Sequence, residues 1–273
     1  MLTPADISAL LSEHGLRASR ALGQHFLADP NTARRIVRLA ELERGTRVLE
    51  IGAGVGSLTL ALADAGMRVL ALEIDRRLVP VLEGVVAGRD VDVEKADALA
   101  FDYAEWLRDG PWACVSNLPY NVATPVVATI LEEAPTVQRM LVMVQREVGE
   151  RLAAGPGSRA YGAISVKVAF HASARVVGTV PPTVFLPRPN VESALVRIDR
   201  RPSAPVDVPS YDELFAIVRA GFGQRRKMLR RALTSVLGAR TEETLATAGV
   251  APTARAESLG LEEWAAIARA AAA

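Results

Sequence analysis

The sequence predicts an α/β protein, with a Rossmann-like sheet of parallel strands flanked by helices and a small all-helical C-terminal domain. Three observations carry the prediction. Short apolar runs alternate with amphipathic segments between residues 47 and 144, as strands joined by crossover helices do. A glycine-rich turn, Gly52-Ala53-Gly54-Val55-Gly56, follows the first run. Polar residues then close the next three runs: Glu73, Asp97 and Asn117. They fall on the carboxyl edge, where open α/β sheets bind ligands.

The elements follow in order. Residues 1–30 read as an arm with a short helix over 6–14, then Arg17, Arg20 and Gly23-Gln24-His25-Phe26-Leu27. A helix starts near Asp29-Pro30 and runs to Ala40, since Asp caps helices and proline suits the first turn. Strands are expected at 47–51, 68–74, 91–94, 113–116 and 140–144, and helices at 57–65, 77–86 and 124–132. A loop at 155–157 precedes a helix over 163–170. Two strands, 174–180 and 193–200, then form an antiparallel pair at the sheet edge. Pro202, Pro205 and Pro209 mark a linker. The expected domains are therefore an arm (1–30), an α/β domain (31–201), a linker (202–209) and a helical domain (210–273).

Bulk properties bound the function. The chain has 273 residues, half of them apolar and 23% charged, enough to bury a core. Net charge is +1, so any basic surface must be local. The single cysteine, Cys114, sits in an apolar strand and reads as a core residue in a reducing cytoplasm. No apolar run approaches the ~20 residues needed to cross a bilayer. The three histidines are scattered, which argues against structural zinc and predicts no metal site.

Asn117-Leu118-Pro119-Tyr120 is equipment for a flat, amine-bearing base. An exocyclic base amine is a poor nucleophile because its lone pair is delocalised. A carboxamide oxygen and a backbone carbonyl can accept its two hydrogens, and an aromatic face can stack on its ring. The glycine turn departs from the dinucleotide fingerprint Gly-x-Gly-x-x-Gly, because Ser57 stands where the third glycine belongs. An acid after the second strand and another after the third instead give the pattern of class I S-adenosylmethionine methyltransferases, so a dehydrogenase is disfavoured. Residues 219–231 carry Arg219, Arg225, Arg226, Lys227, Arg230 and Arg231 without an acid and read as a basic helix. Such groups make salt-dependent phosphate contacts.

These residues together resemble the small-subunit (16S) ribosomal RNA adenine dimethyltransferases. The likeness rests on Gly23–Leu27, Glu50–Thr59, Asn117–Pro125, Gln145–Val148, Phe185–Pro189, Val191–Ala194 and Gly221–Leu229, in order over nearly the whole chain. The resemblance implies S-adenosylmethionine as cofactor, contacted by His25, Leu27, Gly52, Gly54, Glu73, Asp97 and Asn117. It implies that Asn117 and the Leu118 and Pro119 backbone bind the target amine, and that Tyr120 and Phe185 hold the adenine between aromatic faces. It gives Glu50 an indirect role. It implies RNA contacts from Arg225, Arg226, Lys227, Arg230 and Arg231, with Arg17 and Arg20 as further candidates. Two positions depart from the family pattern: His25 stands where many members have Asn, and Asn190 where Lys is frequent.

The expected activity is methylation of two adjacent adenosines near the 3' end of 16S ribosomal RNA during ribosome biogenesis, by a cytoplasmic monomer whose partner is the small ribosomal subunit or its precursor. The rivals are a large-subunit ribosomal RNA methylase of the macrolide-resistance type and a non-catalytic RNA-binding assembly factor.

Overall fold

A computed structural model describes residues 1–19 and 22–273; Arg20, one of the two arm arginines considered for RNA contact, lies outside the described residues. The chain divides into two compact units, residues 1–149 with 174–200 and residues 150–173 with 201–273.

The first unit opens with α1 (Pro4–Glu13), β1 (Phe26–Leu27) and α2 (Pro30–Ala40). Thr3 and Asp6 cap α1 reciprocally, the Asp6 carboxylate accepting the Thr3 N–H at 2.8 Å. Asp29 caps α2 by accepting the Asn31 and Thr32 N–H groups. Thr32, Ala33, Ile36 and Ala40 form the buried face of α2, while arginines 34, 35 and 38 lie away from that face.

The classifying alternation follows: β2 (Arg47–Ile51), α3 (Ser57–Asp64), β3 (Arg68–Glu73), α4 (Val79–Val86), β4 (Val91–Lys95), α5 (Tyr103–Trp106), β5 (Trp112–Asn117), α6 (Ala123–Glu133) and β6 (Val137–Gln145). Then come α7 (Arg146–Leu152), α8 (Ala163–His171), β7 (Ala172–Val180), β8 (Phe185–Leu186) and β9 (Ser193–Arg200). The sheet has seven strands in the order β4-β3-β2-β5-β6-β9-β7. Strands β2 to β6 run parallel and β9 runs antiparallel to β6. This is the predicted Rossmann-like α/β class, with β7 and β9 adjacent at one edge. Central strands are apolar on both faces because helices cover both: Val48, Leu49, Val115, Leu141 and Leu195 are all buried.

One feature escaped the sequence. β1 and β8 are two residues each, too short for a periodic signal, yet they pair antiparallel as a small second sheet. Its register sets Leu27 opposite Phe185 and Phe26 opposite Leu186. Side chains alternate across a strand. Leu27 and Phe185 therefore enter the main core of the unit, while Phe26 and Leu186 turn to a smaller cluster with Ile7 and Val55.

The second unit is helical. α9 (Tyr211–Gly223), α10 (Leu229–Ala232), α11 (Thr234–Leu237), α12 (Thr241–Thr247) and α13 (Leu261–Ala272) pack with α8 around Phe215, Tyr161 and fully buried Trp264. A Cβ on Gly221 would lie 2.6 Å from the Trp264 ring, so α9 and α13 meet closely only because residue 221 is glycine. Two expectations are corrected here. Residues 150–173 group with this unit rather than with the sheet, because Tyr161 and Val166 bury themselves in its core. The basic run at 219–231 is not one helix: α9 stops at Gly223, residues 224–228 form a turn, and α10 starts at Leu229.

Candidate active site

The ligand edge of the first unit begins where β2 ends. The Ile51 N–H donates to Ser116 Oγ on β5 at 2.9 Å, which fixes two neighbouring strand ends together. Gly52, Gly54 and Gly56 all take positive φ (73°, 60° and 89°), the left-handed region that glycine enters without penalty. Space matters as much as conformation. A Cβ on Gly54 would lie 2.9 Å from the Phe26 ring, and one on Gly52 would lie 3.1 Å from Pro119.

Glu73 closes the turn from the next strand. One carboxylate oxygen accepts the Gly54 N–H and the other the Asp75 N–H, each at 2.8 Å. Burial raises its pKa above the ordinary carboxylate value. Asp75 is held the other way: bonding to Arg77 lowers its carboxyl to about 2. Asp75 also accepts from the Gln24 amide at 3.2 Å, which ties the arm to the end of β3.

These segments border a cleft lined among others by His25, Gly52, Gly54, Glu73, Asn117 and Tyr120. Leu27 also lines it. A second lobe contains Asp97 and shares Gly52, Ile74 and Pro119 with the first. Asp97 is exposed at the rim, its carboxylate turned by the Leu99 N–H at 2.9 Å. Beside it Ile74 and Leu99 are 47% and 42% exposed, apolar faces suited to a flat ring.

The donor set fits S-adenosylmethionine. Glu50 Oε2 and Ser57 Oγ line the cleft, are buried, and have no hydrogen-bond partner within the protein. Such orphaned atoms cost free energy unless a ligand or water meets them. Burial pushes the Glu50 carboxyl up to about 8. The cleft therefore offers polar atoms at the glycine turn, a carboxylate at Glu73 for vicinal hydroxyls, and an apolar slot with an acid at Asp97 for a base. Among the described residues no cluster of His, Cys, Asp and Glu could hold a metal ion.

The target half is assembled from distant segments. The Asn117 amide Nδ2 donates to the His25 carbonyl at 3.1 Å, which leaves Oδ1 as the acceptor facing new partners. The Pro119 carbonyl accepts the Val122 N–H at 3.1 Å, which closes the turn after β5. Tyr120 stacks on His25 with ring centroids 5.3 Å apart, and its hydroxyl lies 2.7 Å from buried Ser193 Oγ. Burial raises the Tyr120 pKa, so the phenol stays protonated. Burial likewise pushes the Cys114 thiol up to about 12, and it stays inert in the core.

Phe185 does not join this group. It is 4% exposed and packs in the core, because its register opposite Leu27 turns the ring inward. The adenine clamp expected between Tyr120 and Phe185 is therefore not formed in this structure; the ring against Tyr120 is His25.

In the helical unit, Arg226, Lys227, Arg230 and Arg231 are exposed on the 224–228 turn and α10. Arg225 differs. Its guanidinium pairs with Glu257 at 3.1 Å and donates to the Arg159 carbonyl at 2.7 Å, so it braces the turn. Sequence reasoning missed Ile74, Leu99, Ser57 and Ser193 as site-lining or site-supporting residues. Ile74 and Leu99 could have been found as apolar residues directly following or flanking the strand-end acids; Ser193 carries no local signal.

Comparison with known proteins places the chain. The family model described as ribosomal RNA adenine dimethylase matches residues 15–273. The chain is 48% identical over 276 residues to the ribosomal RNA small subunit methyltransferase A of Thermobifida fusca, covering 98% of this chain and 95% of that one. It is 46% identical to the protein of the same name from Streptomyces coelicolor, covering 98% and 96%. Among solved structures, 23S rRNA methyltransferase ErmE superposes with TM-score 0.68 at 28% identity, covering 91% of this chain and 100% of the other. A dimethyladenosine transferase from Plasmodium falciparum shares the fold with TM-score 0.72 at 21% identity, covering 89% and 96%.

Proposed function

This chain belongs to the ribosomal RNA adenine dimethylase family, and on that premise we propose that it transfers methyl groups to the exocyclic amines of two adjacent adenosines near the 3' end of small-subunit ribosomal RNA. It is an S-adenosylmethionine-dependent methyltransferase. Small-subunit specificity is favoured over the large-subunit type by relatives named for the small subunit at 46–48% identity, against 28% for ErmE. We read it as a cytoplasmic monomer that meets the small subunit or its precursor during ribosome biogenesis; among the described residues no helix is long and apolar enough to cross a membrane.

The observation that carries this reading is the fixed amide of Asn117 beside the glycine-turn cleft. The cofactor supplies an electrophilic methyl on its sulfonium when bound. Glu73, Asp97 and the glycine turn would hold its ribose, base and amino-acid portions, with Glu50 and Ser57 offering the unpartnered atoms. Asn117 Oδ1 and the Leu118 carbonyl accept the two amine hydrogens of the adenine. That orients the nitrogen lone pair for in-line attack and stabilises the positive charge that develops on nitrogen. The alkylated amine then loses its proton readily, so no tuned general base is required. Tyr120 stacks against the flipped base and offsets an unstacking cost of roughly a few kcal/mol. Exposed Arg226, Lys227, Arg230 and Arg231 would contact phosphates, with Arg225 bracing their turn.

The test uses radiolabelled S-adenosylmethionine with small subunits, large subunits and naked RNA, followed by mapping of the labelled base. Dimethyladenosine on the small subunit supports the reading. Label confined to the large subunit selects the rival methylase, and no label anywhere selects a binding-only factor.

A further inference from the structure

We propose that the outer face of α2 and the edge strand β7 form a phosphate-contact surface by which the first unit grips the RNA, in addition to the basic turn of the helical unit; the proposal rests on the RNA substrate read above. The observation behind it is an unequal division of charge across one sheet. The whole chain is nearly neutral, at +1. β4 and β7 stand at opposite ends of the seven-strand order. At the β4 end, residues 90–105 carry Asp90, Asp92, Glu94, Asp97, Asp102 and Glu105 against Lys95 alone. At the β7 end the sign reverses. Between Pro30 and Ala40, α2 holds Arg34, Arg35 and Arg38 without an acid, and β7 holds Arg175 without an acid.

Arg35 ties the two elements together. Its Nη1 donates to the Thr179 carbonyl at 2.9 Å. Its guanidinium lies over Gly178, where a Cβ would come within 2.5 Å of Nη2. Arg34, Arg38 and Arg175 are exposed. At the β4 end Arg68, Arg89 and Arg108 each meet an acid: Asp90, Asp64 and Glu105. Arg34, Arg38 and Arg175 make no ion pair among the described residues. The carboxylates that feel them are engaged otherwise, Asp29 as the cap of α2 and Glu41 as the partner of Arg197.

Arg34 and Arg38 stand one helical turn apart, where like charges repel and weaken a helix. A phosphate backbone relieves that repulsion, and guanidinium forks match its oxygens. The acidic β4 end repels the same polyanion, so the field of the unit turns RNA toward α2 and β7. The surface also starts beside the site: Leu27 lines the cleft, and α2 begins at Pro30. A strand laid along α2 therefore leads to the cleft.

The test follows binding of wild type and an Arg34→Ala, Arg38→Ala, Arg175→Ala triple variant to small subunits and to naked small-subunit ribosomal RNA across a salt series. Arg35 is kept because it holds β7. An Asp92→Asn, Glu94→Gln variant controls for net charge. The triple variant should bind both targets about 10-fold more weakly at low salt, with the slope of log affinity against log salt lower by about 2. Its thermal midpoint, its S-adenosylmethionine affinity and its single-turnover rate at saturating subunits should match wild type. Unchanged binding and slope in the triple variant would overturn the proposal. An equal and opposite change in the acid control would overturn it too, since net charge rather than this face would then set binding. Weaker binding to subunits with unchanged binding to naked RNA would overturn it as well, and assign the face to an acidic protein of the subunit. Wild-type protein that binds neither target would bring down the functional reading, and this proposal with it.

Discussion

The glycine turn and the target half lie side by side in one unit, yet they are built by different means. The turn is made by backbone: Gly52, Gly54 and Gly56 at positive φ, and a Gly54 N–H given to Glu73 from the neighbouring strand. Its parts lie at the ends of adjacent parallel strands, β2 and β3, so register alone assembles it. The target half is made by side chains from three remote segments. Asn117 reaches His25, His25 reaches Pro187, and Tyr120 reaches Ser193. The difference teaches that cofactor binding here is a property of the sheet, whereas base capture is a property of contacts between loops. The two should fail separately when mutated.

The largest expected effect lies where the halves meet. Asn117→Ala removes the oriented acceptor, and transfer to small subunits should fall by about 1,000-fold, the scale seen for losing one aimed polar group in a catalytic site. Single-turnover assays with purified subunits at saturating S-adenosylmethionine measure it, while thermal unfolding should stay near wild type. Normal turnover in this variant would remove Asn117 from the mechanism.

A smaller effect should separate Arg225 from its neighbours. Arg226→Ala with Arg230→Ala should lower the slope of log affinity against log salt by about 1.5, if each arginine meets one phosphate. Arg225→Ala breaks the Glu257 pair that holds the turn; it should weaken RNA binding while leaving that slope nearer wild type. Filter binding across a salt series distinguishes them, and equal slopes for all variants would refute the division.

A further effect is on stability. Glu50 titrates near 8 in the fold against an ordinary value of 4.5. A raised carboxyl holds its proton more tightly when folded, so the stability it contributes is complete below about pH 4.5 and is lost as pH rises through about 8. Glu50→Gln stays neutral throughout. Without cofactor, its thermal midpoint relative to wild type should therefore rise between pH 5 and pH 9. A constant difference would mean that Glu50 is ionised in the fold.

How much of this was legible follows the same division. The five parallel strands, the glycine turn and the strand-end positions of Glu73, Asp97 and Asn117 follow from apolar periodicity and turn chemistry, which are local signals. Phe185 faces the core in this structure because its direction is set by a two-residue pairing with β1 that no periodicity reveals. The basic run has the composition of one helix; the break comes at Gly223–Gln224, where the turn is fastened by Arg225 to Glu257 and Arg159. Residues 150–173 follow the sheet strands in sequence without a break in composition, and only the burial of Tyr161 and Val166 among the C-terminal helices groups them with the helical unit.

The separation of the two halves is tested most directly by single-turnover methyl transfer to small subunits, followed against S-adenosylmethionine concentration for wild type, Gly54→Ala and Tyr120→Ala. A Cβ at 54 would press on Phe26 and strain a turn at φ 60°, so the Gly54→Ala curve should move to about 10-fold higher cofactor concentration and reach the wild-type plateau. Tyr120→Ala should keep the wild-type midpoint and reach a plateau at least about 10-fold lower, because its lost stacking cannot be restored by cofactor. If midpoint and plateau move together in both variants, the two halves are one coupled structure and the account is wrong.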